Sequence, residues 1–185
     1  MTKLGSAFAM AFILLPGLAL SGACWAQPAG NLAIKAAMTD IDAAAPGVKP
    51  DKAISVKLEK AMATLSAQLN NRRLSPDDQI YAHLYHAKAQ FFLAVNDHHF
   101  TIADYDREDA RAIRYEFEQA INLMMDQAAK TGKDWKKELA EANWQAGNMA
   151  VVIAVDQNTA YETFFPACAA LGRPECKKAM ADARK

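Results

Sequence analysis

Residues 75–95 have the sequence SPDDQIYAHLYHAKAQFFLAV, which carries the strongest helix signal of the chain. Ser75 is a preferred N-cap residue, and Pro76 suits the first position of a helix. Asp77 and Asp78 place negative charge at the positive end of the helix dipole. Beyond them, apolar residues recur at helical spacing: Ile80, Leu84, Ala87, Phe91 and Ala94. The stretch therefore predicts an amphipathic helix from Pro76 to about Val95.

The same pattern extends along the chain. Helical periodicity covers residues 51–71, about 106–130, and the stretch from about 134 toward 156, and a short helix follows Pro174. Alanine is frequent among the apolar residues, which favours helices. The sequence has no stretch in which polar and apolar residues alternate as they do in β-strands. We predict an all-α fold of five to seven helices arranged as antiparallel hairpins. Pro166 interrupts the last part, so either a kinked helix follows the one ending near Asp156, or a break precedes the proline.

The N-terminus has the layout of a secretory signal peptide. Lys3 gives a positive start, residues 7–20 are apolar, and small residues surround Cys24 to Ala26. The apolar stretch is too short to span a bilayer. We expect residues 1–26 to be a signal peptide, residues 27–50 a loosely ordered lead-in, and residues 51–185 a single α-helical domain. The protein would be periplasmic or secreted, without a transmembrane helix after cleavage. A lipoprotein anchored through Cys24 is the alternative.

Charge and motifs limit the classes of function. Lysine plus arginine and aspartate plus glutamate number 21 each, and no half of the chain is strongly basic, so we expect no nucleic-acid partner. The sequence has no nucleophile elbow, no phosphate-binding glycine loop and no haem-attachment motif. We therefore predict a non-enzymatic protein without a cofactor.

Cysteine placement predicts one disulfide. Cys168 and Cys176 flank the sequence AALGRPE, in which Gly172 suits a helix C-cap and Pro174 the first turn of the next helix. In an oxidising compartment, two cysteines across such a corner are expected to pair. Metal binding by this pair is not favoured, because no further thiol or histidine lies nearby in the sequence.

Residues 80–150 resemble the tetratricopeptide-repeat family, which stacks antiparallel helix pairs. The residues 104–106 are similar to the turn of that repeat, Ile113, Phe117 and Ala120 to the packing positions of its second helix, and Ala146-Gly147 to those of a first helix. The spacing between the units exceeds the 34-residue period of the family. The chain is therefore expected to form either repeat-like hairpins or an irregular bundle. The resemblance implies a scaffold that binds an unidentified envelope protein or peptide.

By the same analogy, a polar face on the helix after Ser75 is the candidate binding site. His83, His86 and Gln90 share that face and would contact the ligand. An alternative is a small-ligand or metal-binding bundle that uses His83 and His86, with a third ligand from the region of His98 and His99. The structural explanation for the same residues is a polar face exposed to solvent.

Overall fold

The computed structural model describes residues 31–44, 51–98, 107–152 and 157–182. The predicted signal peptide lies outside these residues. The described chain is helical throughout its regular elements, which confirms the all-α prediction. Its helices are α1 (Leu32–Ala43), α2 (Lys52–Leu69), α3 (Pro76–His98), α4 (Arg107–Thr131), α5 (Lys136–Val152), α6 (residues 157–170) and α7 (Pro174–Asp182).

Helix α6 changes its winding in the middle. It starts as an α-helix over Gln157–Thr159, is a π-helix over Ala160–Phe164, and returns to α over Phe165–Ala170. The backbone N–H of Phe165 donates to the carbonyl oxygen of Ala160, five residues earlier. A proline in a regular helix collides with the carbonyl four residues before it. The wider turn before Pro166 relieves that collision, so the helix continues through the proline.

Each helix packs mainly against the helices before and after it in the chain. α3 lies between α2 and α4 and also contacts α1, while α5 packs on α4 and α6. The core contains large side chains that are almost fully buried: Ile34, Leu58, Leu65, Tyr81, Tyr85, Phe117, Trp135 and Phe165. Predominantly sequential packing is the arrangement expected of consecutive antiparallel hairpins.

The lead-in expected over residues 27–50 requires correction, because α1 is part of the packed domain. Asn31 caps α1 by accepting hydrogen bonds from the backbone N–H groups of Ala33 and Ile34. Ile34 and Ile41 are fully buried against the core. These two residues lie on one side of α1, so packing against the core stabilises the helix.

Two groups of side-chain hydrogen bonds lie near the ends of α3. The Ser75 hydroxyl oxygen accepts from the backbone N–H of Asp78 at 3.1 Å and donates to the carboxylate of the same residue at 2.7 Å. At the other end, the Asn96 side chain bonds both the N–H and the carbonyl of Asp51, and donates to Ser55 at 2.7 Å. Asn96 therefore joins the C-terminal part of α3 to the beginning of α2.

The C-terminal corner is cross-linked. The sulfur atoms of Cys168 and Cys176 lie at disulfide-bonding distance, as predicted, and both residues are fully buried. Gly172, between them, has a positive φ of 95°, the conformation expected of a residue that ends a helix. None of the described helices has the length and apolar character needed to cross a bilayer.

Candidate functional site

The candidate residues lie on the side of α3 that faces away from α1 and α5. On the inner side, the Tyr81 hydroxyl donates to Glu138 of α5, and the Tyr85 hydroxyl donates to Asp42 of α1, each at 3.2 Å. Residues 83, 86 and 90 follow these tyrosines at offsets that place them on the opposite face of the helix. All three are half-buried.

Two side-chain contacts bind this face to the flanking helices. His86 Nε2 lies 3.0 Å from Ser66 Oγ of α2. His83 Nδ1 lies 2.8 Å from Glu116 Oε2 of α4. Because α2 and α4 pack on α3 more extensively than on each other, they form two walls with the face of α3 between them. We call this feature the polar groove; His83, His86 and Gln90 form its floor, and Ser66 and Glu116 belong to its walls.

Helical spacing extends both walls. On α2, positions 59, 63 and 70 lie one turn or two from Ser66 on the same side, and on α4, positions 112, 119 and 123 share the side of Glu116. These wall positions are occupied by Glu59, Ala63, Asn70, Ala112, Gln119 and Leu123. Three of these six side chains are polar and three are apolar, and none is lysine or arginine.

Two polar atoms of the floor are buried without a hydrogen-bond partner. They are Nδ1 of His86 and Oε1 of Gln90. A buried polar atom left unpaired costs about 1–3 kcal/mol of folding free energy. The polar groove therefore combines two satisfied contacts to its walls with two unsatisfied atoms on its floor.

Burial and neighbouring charges shift two pKa values in the groove. Burial lowers the pKa of His86; Glu116 opposes this shift, and His83 adds to it. The hydrogen bond from His83 lowers the pKa of Glu116, and the charges of both histidines act in the same direction against the effect of burial. At neutral pH the Glu116 side chain is thus an ionised carboxylate that accepts from His83 Nδ1–H, and the His86 ring is neutral.

The structure changes one expectation about exposure. The polar face of α3 is only partly exposed to solvent, because α2 and α4 border it and contact both histidines. Glu116 of α4 is the partner of His83 on this face. Its position three residues after buried Ile113 and beside buried Phe117 was the signal that it borders a packed surface.

The metal-binding alternative gains no third ligand. Within the described ranges, no group of three or more histidine, cysteine, aspartate or glutamate side chains is placed to hold a metal ion. His83 and His86 contact different walls. His99 lies outside the described residues, and the His98 side chain is not described.

Comparison with protein-family models, curated proteins and solved structures found no match for this chain. The resemblance of residues 80–150 to tetratricopeptide repeats therefore stays a prediction.

Proposed function

We propose that this protein is an exported, non-enzymatic helical scaffold of the bacterial cell envelope that binds a protein or peptide segment in the polar groove. The observation that carries the proposal is the presence of two buried polar atoms without a hydrogen-bond partner on the floor, Nδ1 of His86 and Oε1 of Gln90. Apolar side chains at these positions would avoid the free-energy cost of unpaired polar atoms and favour folding stability. Local arrangements that disfavour stability are expected at functional sites.

The shape of the groove favours a chain-like ligand over a compact one. Its floor extends from His83 to Gln90, seven residues further along one face of α3, which corresponds to roughly 10 Å of helix. An extended peptide of about three residues has a similar length. Stacked hairpins commonly provide elongated surfaces of this kind to protein partners.

The leader sequence and the disulfide support the location. The order of positive, apolar and small residues in residues 1–26 is that of an export signal. The buried pair Cys168–Cys176 fits an oxidising compartment.

Site-specific photocrosslinking in the source bacterium tests the proposal. A photoreactive amino acid replaces exposed Ala63 or Ala112, one on each wall, and exposed Ala36 or Ala129 serves as a control outside the groove. We expect a discrete protein adduct from the two wall positions and none of that mass from the controls. Adducts of equal yield at all four positions would contradict a specific groove.

Crosslinking in two further variants tests whether formation of the adduct depends on the floor of the groove. The Gln90→Ala variant is expected to lose the adduct formed from Ala112, whereas Asn122→Ala, at an exposed amide of α4, is expected to keep it. Native mass spectrometry of the purified protein separates the alternative function. A metal ion or small molecule that is retained by the wild type and lost on His86→Gln would replace the scaffold proposal with a ligand-binding bundle.

A further inference from the structure

One end of the bundle collects several chain connections. The α2–α3 and α4–α5 connections meet there, since Lys133 pairs with Asp77 at 2.6 Å. The α6–α7 corner joins them through the ion pair of Arg173 with Glu141 of α5. The start of α1 lies at the same end, because Asn31 donates to Gln68 near the end of α2 at 2.7 Å.

Exposed positive charge is concentrated at this end. Six lysine and arginine side chains are exposed there: Arg72, Arg73, Lys136, Lys137, Lys177 and Lys178. We call this set the basic end. Within the described part of the chain, none of the six forms an ion pair. The sequence concealed the feature, because the six residues come from three separate segments of a chain without net charge.

Four acidic groups of this end are engaged with neighbours. Asp77 pairs with Lys133, and Asp78 is buried and bonded to Ser75. Glu138 is only 4% exposed and accepts from Tyr81. Asp134 accepts from the backbone N–H of Lys136 at the start of α5.

The form of the basic end favours a flat, fluid surface as its partner. Its cations are long, flexible side chains that come from three separate segments of the chain. Lys136, Lys137 and Arg173 line an open cleft of 620 Å³ between the start of α5 and the α6–α7 corner. Leu32, at the start of α1, is 82% exposed at the same end. Basic residues beside an exposed apolar side chain are the combination that binds the surface of an anionic bilayer.

We propose that the basic end docks the protein on a phospholipid bilayer with anionic headgroups. The lysines and arginines contact the headgroups, and Leu32 enters the interface. The floor of the polar groove, from His83 to Gln90, begins seven residues after the start of α3, roughly 10 Å along the helix from the basic end, so a docked molecule keeps the floor available. This surface is separate from the groove, and its test does not depend on a groove ligand.

Vesicle flotation tests the proposal with the protein as recovered from expressing cells. Vesicles of phosphatidylcholine alone are compared with vesicles that contain 30% phosphatidylglycerol, a proportion of about one anionic lipid in three that gives a strong negative surface potential. Each lysine or arginine near such a surface contributes roughly fivefold to affinity. We expect the wild type to bind the anionic vesicles at least about tenfold more strongly at low salt, and this preference to vanish at about 1 M salt, where charges are screened beyond about 3 Å.

A pair of charge-matched variants locates the surface. The variant R72Q/R73Q/K136Q/K137Q is expected to lose at least about tenfold in binding, whereas K52Q/K57Q/K60Q/R111Q, which removes four exposed cations elsewhere, is expected to keep binding within about twofold. Equal loss in the two variants would reduce the effect to net charge and overturn the proposal. Equal binding of the wild type to both vesicles would also overturn it, and binding to polyglutamate in that case would assign the basic end to an acidic protein.

Discussion

Replacing Gly147 by alanine tests how tightly α5 packs on α6. A Cβ atom at this position would lie 2.5 Å from Cε1 and 2.7 Å from Cδ1 of Phe165. That ring is 2% exposed and is held by Trp144 and Tyr161, whose ring centroids lie 5.6 and 5.3 Å away. The ring therefore has little room to move aside.

Two opposing effects set the magnitude. Overpacking a filled core costs about 1–3 kcal/mol, and the immobile ring favours the upper part of that range. Alanine is better than glycine in a helix interior by about 1 kcal/mol. The Gly147→Ala variant is therefore expected to lose about 1–2 kcal/mol in free energy of unfolding.

Urea unfolding followed by circular dichroism measures this change. In a Phe165→Leu background, where the contact is relieved, the same glycine substitution is expected to be neutral or to stabilise by up to about 1 kcal/mol. Asn122→Ala, at an exposed position of α4, is the control for the effect of helix propensity. A Gly147→Ala variant that is more stable than the wild type, with no coupling to position 165, would refute the packing argument.

Three further predictions concern protonation, the cross-link and a polar bridge. Burial lowers the pKa of His86 below its unfolded value of 6.5, so the unfolded state binds the proton more readily. The free energy of unfolding is therefore expected to fall as pH drops below about 6.5. Urea unfolding at a series of pH values should show a shallower fall for the His86→Gln variant than for the wild type. Replacing Cys168 and Cys176 by serine, in a loop with a sequence separation of 8, should lower the free energy of unfolding by about 2–3 kcal/mol, and unchanged stability in urea would contradict the cross-link. Asn96→Ala removes both backbone bonds to Asp51 and should cost about 1–3 kcal/mol, with hydrogen exchange accelerated first at the start of α2; exchange that stays as slow as in the wild type would argue against the bridge.

Local sequence signals predicted a helix boundary where a capping residue close in the chain defines that end of the helix. Ser75 and Pro76 define the beginning of α3 because capping acts within a few residues of the chain. Gly172 and the flanking cysteines predicted the C-terminal corner for the same reason. The end of α3 was placed three residues too early, because its last turn is supported by Asn96 contacting α2, a long-range interaction.

The candidate site could be predicted only in part. Periodicity placed His83, His86 and Gln90 on one face, but it does not reveal which helices border that face. Glu116 lies 33 residues from His83 in sequence and Ser66 lies 20 residues from His86. Such pairings depend on how the hairpins stack, which single-helix patterns do not specify. The basic end was missed for the same reason.

The most direct test of the scaffold proposal is a paired measurement on Gln90→Met. Methionine has a shape similar to that of glutamine and lacks the buried, unpaired Oε1 of Gln90. In the wild type, leaving such an atom unpaired costs about 1–3 kcal/mol of folding free energy. We expect the free energy of unfolding to stay the same or rise by about 1 kcal/mol, while the photocrosslinked adduct from position 112 disappears. Asn122→Met is the matched control and should retain the adduct. A Gln90→Met protein that is less stable and still forms the adduct would show that Gln90 serves the fold and not a ligand.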